Sequence, residues 1–272
     1  MRTENDPLSY AVIGEAMAVH RELGPGLREE CYHQGLATRL RASGVEHLSK
    51  PRRELVHRGV VADVFEPDFV VPAGLVPELK HLVGAFEPEH FLQLKSYLKF
   101  WKLRVGLLLD FGKDRLLQQR YVYDDPPAVV PSADQLFAGT PAEAAVRGVA
   151  ATVVESVRRV VGAHGFGYRD TTYTGLLRAD FSVEGVRCQL NPVATVTVGG
   201  TPVGDSTFAG CVVGQALAVK VLSQREAIRP ADRAIVQTWL RLLDLPAGVI
   251  VHFGKTALEL QWVRPSTHRN ES

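Results

Sequence analysis

The chain has few cysteines, little net charge and no long apolar run, and each shortage removes a class of protein. Its three cysteines, Cys31, Cys188 and Cys211, stand at unrelated spacings without a CxxC pair, so neither a disulfide framework nor a zinc ribbon is expected. No run of about 18 apolar residues occurs, so no membrane span is expected. The opening MRTENDPLSY lacks the basic-then-apolar order of a secretory signal, which makes a cytoplasmic protein the simplest expectation. A formal net charge of +1 counts against a protein that grips long duplexes by charge alone. Basic clusters at Lys50-Pro51-Arg52-Arg53 and along Lys95, Lys99, Lys102 and Arg104 are equally well read as solvated faces.

What remains is an ordinary globular composition, 46% hydrophobic and 22% charged, in 272 residues, enough for two domains. Apolar positions at helical spacing predict a helix over about 8–23, stopped by Gly24-Pro25-Gly26. A second helix is expected from Arg28 to about Arg41. Stretches rich in Val and Phe, Arg53–His57, Val60–Val71 and Leu75–Leu82, read as strands. A helix from about Glu87 to Trp101 follows, with Phe91, Leu94, Leu98 and Trp101 on one face, then a buried strand over Val105–Phe111. Four prolines between about 124 and 141 predict a stiff, non-helical connection, giving domains over 1–125 and 142–272 with a linker over 126–141.

The second half repeats the first. Gly165-Phe166-Gly167 answers Gly24-Pro25-Gly26 at an offset of 141, at which Tyr173 also matches Tyr32, Pro192 matches Pro51 and Gly200 matches Gly59. After small gaps Lys220 falls on Lys80, Gln237 on Gln93, and Val249–Lys255 (VIVHFGK) on Leu107–Lys113 (LLLDFGK). Order is kept while the offset drifts from 140 to 144, which points to a tandem duplication rather than two unrelated α/β domains.

The chemistry-bearing stretch is Glu66–Lys80. Its two apolar runs flank a Pro72-Ala73-Gly74 turn and should form a hairpin, with Asp68 on the first strand and Glu78 and Lys80 two apart on one face of the second. Charged groups in an apolar strand are costly to bury unless something binds them, and a divalent cation between Asp68 and Glu78 would. Two carboxylates suit Mg²⁺ or Mn²⁺, hard cations that prefer oxygen, and the Leu79 carbonyl can add another ligand. Lys80 can orient or help deprotonate an attacking water and offset charge on a phosphate. Glu29, at the start of the second helix, has a plainer reading as a helix-dipole acid. Gln93 and Tyr97, four apart on one helix face, have a plainer reading as core-capping surface.

Pro67-Asp68, nine residues, then Glu78-Leu79-Lys80 resembles the full PD-(D/E)xK signature. Val19–Tyr32, with Gly26, Glu29 and Tyr32, resembles the hallmark segment of the bacterial GxxExxY proteins. His90–Leu98 resembles the next block of that family and the QxxxY motif of RecB-type nucleases. The resemblance covers about residues 8–123. It implies an α/β fold of two tandem restriction-endonuclease-like domains, each a central mixed sheet flanked by helices. It also implies a Mg²⁺- or Mn²⁺-dependent nuclease acting on DNA, with Asp68 and Glu78 as metal ligands and Lys80 as catalytic lysine. Glu29 would be an additional helical acid, a further candidate ligand, with Gln93 and Tyr97 as active-site supports.

The second copy departs from the pattern: Gly210 falls where Asp68 sits, Ala218 where Glu78 sits, Asp170 replaces Glu29 and Arg241 replaces Tyr97. Residues 142–263 are therefore expected to be a non-catalytic copy, standing in for the second subunit of an ancestral dimer, packing on the first copy or guiding nucleic acid. The competing expectation is a catalytically inactive nucleic-acid-binding or scaffold protein, or an accessory subunit working with a protein partner in a larger nuclease or defence complex.

Overall fold

A computed structural model describes residues 7–125, 127, 129–140, 144–224 and 226–266. The ends of the expected linker, Pro126 and Pro141, and the first six residues lie outside the described residues. Two compact units result, one of 1–55 and 64–125, the other of 56–63 and 126–272.

In the first unit, helix α1 (Pro7–Leu23) is followed by α2 (Glu29–Ala42). Gly24 ends α1 in the left-handed region (φ 68°), returning its N–H to the His20 carbonyl at 2.9 Å. Short strands β1 (Leu48–Ser49), β2 (Arg53–His57), β3 (Val60–Phe65) and β4 (Phe69–Val70) lead to β5 (Leu75–Lys80), with residues 56–63 of β2 and β3 counted in the second unit. Helix α3 (Pro88–Trp101) opens with proline at its first turn and closes at left-handed Lys102 (φ 56°). Strands β6 (Val105–Asp110) and β7 (Leu117–Val122) complete the unit. β5 and β6 run parallel, β7 antiparallel to β6. Alternate residues Leu75, Leu79, Leu107 and Leu109 pack with Val12, Ala16, Leu36 and Leu40 of α1 and α2. The other face meets α3, where a Cβ on Gly106 would lie 2.7 Å from Leu94. Glu78 pairs with Leu108, two residues on from Gly106, so Glu78 and Lys80 share that α3 face.

The expected hairpin across Pro72-Ala73-Gly74 is closed only at its tip, and Asp68 lies just before β4 rather than inside a strand. Val71 and Leu75 exchange backbone bonds of 2.8 and 3.1 Å, but β4 then pairs with β1 instead. Pro77 explains the opening. It sits two residues past Leu75, on the same strand edge, and has no N–H to continue the ladder.

The second unit follows the same order. Helices α4 (Ala133–Phe137), α5 (Ala144–His164) and α6 (Asp170–Val183) precede β8 (Cys188–Leu190), β9 (Val193–Val198), β10 (Thr201–Thr207), β11 (Cys211–Val213) and β12 (Leu217–Ser223). Helix α7 (Pro230–Leu242) and strands β13 (Ala247–Phe253) and β14 (Leu258–Val263) follow. β12 and β13 are parallel within a mixed sheet ordered β14-β13-β12-β11-β8. Short helix α4 corrects the expected non-helical connection: Ser132 and Gln135 form reciprocal capping bonds that start a turn between the prolines. Also within this unit, buried Asp180 accepts hydrogen bonds from Arg159 (2.7 Å), Arg58 (3.0 Å) and His57 (3.0 Å). Among the described residues no helix is long and apolar enough to cross a membrane.

Candidate metal centre

The open edge of β5 is where the charged residues of the first unit meet. With Pro77 ending the ladder, the next N–H on that edge, from Leu79, donates to Asp68 Oδ2 at 2.8 Å. In an extended strand the carbonyl of a residue points to the same edge as its N–H, so the Leu79 carbonyl faces Asp68 too. Glu78 Oε2 accepts the Asp68 N–H at 3.2 Å, and Lys80 Nζ donates to Glu78 Oε1 at 2.9 Å. The expected trio of Asp68, Glu78 and Lys80 is thus a single hydrogen-bonded cluster. Glu78 is 3% exposed. Burial first, and the Asp68 carboxylate second, push its carboxyl up to about 7, against the pull of Lys80. Two facing acids, one of them deeply buried and hard to ionise, make a site that a divalent cation would relieve; the donor set fits Mg²⁺ or Mn²⁺. Among the described residues no group of three His, Cys, Asp or Glu side chains could hold a metal ion, so such a cation would rest on two carboxylates and backbone or solvent oxygens.

Glu29 is the first residue of α2, and its carboxyl is raised by burial and then by Asp68, which brings it into the same electrostatic neighbourhood. Its delivery depends on Tyr32. The Tyr32 hydroxyl donates to the Gly24 carbonyl (2.8 Å) and accepts the Leu27 N–H (3.0 Å), clasping the turn before α2. Tyr173 donates to Gly165 at 2.8 Å in the same way. Gln93 Nε2 donates to the Tyr97 hydroxyl at 2.9 Å, and that hydroxyl reaches the Glu66 carbonyl at 3.4 Å, supporting the chain two residues before Asp68.

Two further residues reach the site, Lys50, marked in the sequence only as part of a basic cluster, and His81, not marked at all. Lys50, left-handed at φ 45°, donates its N–H to the Asp68 carbonyl and its ammonium to Glu30 at 2.5 Å. The Glu30 hydrogen bond raises its pKa most, with Asp68 and Glu29 adding to it. His81 follows Lys80 and stacks on Tyr32 with ring centroids 6.0 Å apart. Only the β1–β4 pairing brings Lys50 here, a long-range contact with no local pattern. The other basic cluster is largely neutralised: Lys99 pairs with Asp125 (2.8 Å), Arg104 with Asp124 (2.5 Å), and Lys95 lies over the Tyr123 ring.

Strand register corrects several matches between the copies. Glu78 lies opposite Leu108, and Lys220 opposite Ile250, the same position of the matched strands. Lys220 therefore stands in the place of Glu78, Leu222 in that of Lys80, and Ala218 in that of Val76. Gly106 packs on Leu94 and Gly248 on Val236, so Ile235 and Trp239, not Gln237 and Arg241, answer Gln93 and Tyr97. Gly210 does answer Asp68: Lys50 and Asn191 both have φ 45° and donate to the Asp68 and Gly210 carbonyls respectively. Val219 replaces Pro77, and there the ladder continues, with Val219 paired to Cys211.

One family model, described as PD-(D/E)XK nuclease superfamily, matches the chain twice, over residues 6–121 and 147–265. A solved structure titled "Crystal structure of SSO0001" is 18% identical over 42% of this chain and 61% of its own, with a TM-score of 0.27. The chain thus spans about three fifths of that structure's length. No match was found among curated proteins. With both halves matched by the same model, the chain belongs to the PD-(D/E)XK nuclease superfamily, its fold present twice in tandem.

Proposed function

We propose that the chain is a Mg²⁺- or Mn²⁺-dependent nuclease of the GxxExxY type that hydrolyses phosphodiester bonds in DNA, with one active site, in the first unit. The observation that carries this reading is the Asp68–Glu78–Lys80 cluster at the strand edge opened by Pro77. Asp68, Glu78 and the Leu79 carbonyl would hold the cation, with Glu29 adding negative charge nearby rather than a third carboxylate ligand. When bound, the cation supplies Lewis-acid stabilisation of charge on the phosphate. Lys80, held by Glu78, would orient the attacking water and balance the charge gathering on the phosphate oxygens. As the water oxygen bonds to phosphorus, its proton passes to solvent or a neighbouring base and the P–O bond to the leaving sugar oxygen breaks. Gln93 and Tyr97 act through the backbone before Asp68, and the Tyr32 clasp sets the approach of Glu29.

In the second unit an ammonium and a glycine stand where the two acids would be, so we assign it no metal and no cleavage. A second reading, a nucleic-acid-binding protein without catalysis, is favoured by one observation: no trio of metal-ligating side chains among the described residues. Cleavage assays on single-stranded DNA, duplex DNA and RNA decide between them. The nuclease reading expects Mn²⁺-dependent DNA cleavage, abolished by EDTA and by Lys80→Ala; no cleavage of any substrate by the native chain refutes it.

A further inference from the structure

The second copy carries a cation in place of one acid and a glycine in place of the other. Lys220 occupies the register position of Glu78, and Gly210 that of Asp68. A Cβ at Gly210 would lie 2.6 Å from the Val219 carbonyl and 2.7 Å from the Phe208 ring, so no carboxylate can return there without moving the backbone. Gly210 also lines a cleft of about 390 Å³ inside the second unit. Its walls carry Arg178, Asn191, Thr171, Thr174 and Asp170, together with Gly210 itself. Val221 also lines it, and its counterpart Leu79 is the residue whose N–H meets Asp68 in the first copy. Arg178 is exposed and spends one N–H on the Val61 carbonyl at 3.2 Å; a guanidinium has five to give.

A cleft of this size fits one nucleotide unit. Its chemistry is that of an anion site: a guanidinium, the Thr171 hydroxyl and a carboxamide on the walls. We propose that this cleft holds a phosphate group directly, without a metal ion, and that the phosphate belongs to a nucleic-acid strand. Arg178 is the principal contact, and Thr171 and Asn191 supply neutral hydrogen bonds; Thr174 already spends its hydroxyl on the Asp170 carbonyl at 2.8 Å. Asp170 limits the site by repelling anions, so its affinity for a lone phosphate is modest. The choice of a strand over a free phosphate rests on the nuclease reading above; the anion site itself does not.

The test uses the full chain in excess EDTA, which silences any metal centre. Binding of a fluorescent 20-nucleotide single strand is followed by anisotropy, and binding of inorganic phosphate by calorimetry, for the native chain and Arg178→Glu. Thr171→Val, which removes a hydroxyl and no charge, is the milder second variant. The expected result is EDTA-resistant strand binding weakened about tenfold or more by Arg178→Glu and measurably by Thr171→Val, circular dichroism unchanged. Phosphate binding lost in Arg178→Glu with strand binding unaltered would keep the anion site and overturn the strand as its source. No EDTA-resistant binding, or binding indifferent to both variants, overturns the proposal outright. Mn²⁺-dependent cleavage by the native chain is scored separately: its absence sinks the nuclease reading alone.

Discussion

Replacing Glu78 by glutamine should strengthen the metal-free fold while destroying the metal site. Burial and Asp68 raise the Glu78 carboxyl from 4.5 to about 7, so the native state holds this proton more tightly than the unfolded chain does. For such a group stability is greatest below the unfolded value and declines as pH rises through the window from 4.5 to about 7. The gap corresponds to about 3 kcal/mol above pH 7. Glutamine cannot titrate and escapes that loss; the 2.9 Å ion pair with Lys80 that it forfeits is already contained in the net shift. Urea denaturation in EDTA should therefore show native stability dropping by about 2–3 kcal/mol between pH 5 and pH 8, with Glu78→Gln dropping much less. At pH 8 the variant should be the more stable by roughly 2–3 kcal/mol. Millimolar Mn²⁺ should reverse the order, because only the native chain gains stability from it. Equal pH dependence in the two proteins would show that Glu78 is not a buried, frustrated acid.

Pro77→Val supplies the missing N–H; the β4–β5 ladder should zip as Val219 and Cys211 do, and DNA cleavage should fall at least tenfold with the fold intact by circular dichroism. Gly210→Asp should create no second Mn²⁺ site in calorimetry and should lower the melting temperature, because its Cβ meets the Val219 carbonyl at 2.6 Å. Asp180→Ala leaves Arg58, Arg159 and His57 facing an empty buried position and should cost about 3–5 kcal/mol in urea denaturation. Burial works to raise the Asp180 carboxyl, but hydrogen bonds from Arg159, Ser156, Arg58 and His57 outweigh it and hold the pKa well below the ordinary value. Its contribution should accordingly be present at pH 5 and above, and vanish as acid protonates it.

Much of this was legible in the residues. Gly24-Pro25-Gly26 set the end of α1, alternation set β2 at Arg53–His57, and the spacing of Asp68, Glu78 and Lys80 set the cluster. The strand over Val60–Val71 did not survive whole, because Glu66 and Pro67 interrupt it between β3 and β4. Pro77 was visible, yet its effect depends on which edge of β5 it faces, and that needs the register. Matching Lys220 to Lys80 failed for a related reason: identity of residue type drew the alignment two positions away from the strand pairing. Lys50 and His81 reach the site through tertiary pairing and stacking, to which local periodicity is blind.

Titration calorimetry with Mn²⁺ at pH 8 reaches the central claim most directly. One binding event per chain is expected, absent from both Asp68→Ala and Glu78→Ala and weakening below about pH 7 as Glu78 takes up its proton. No heat of binding in the native chain, or binding that survives both substitutions, would contradict it.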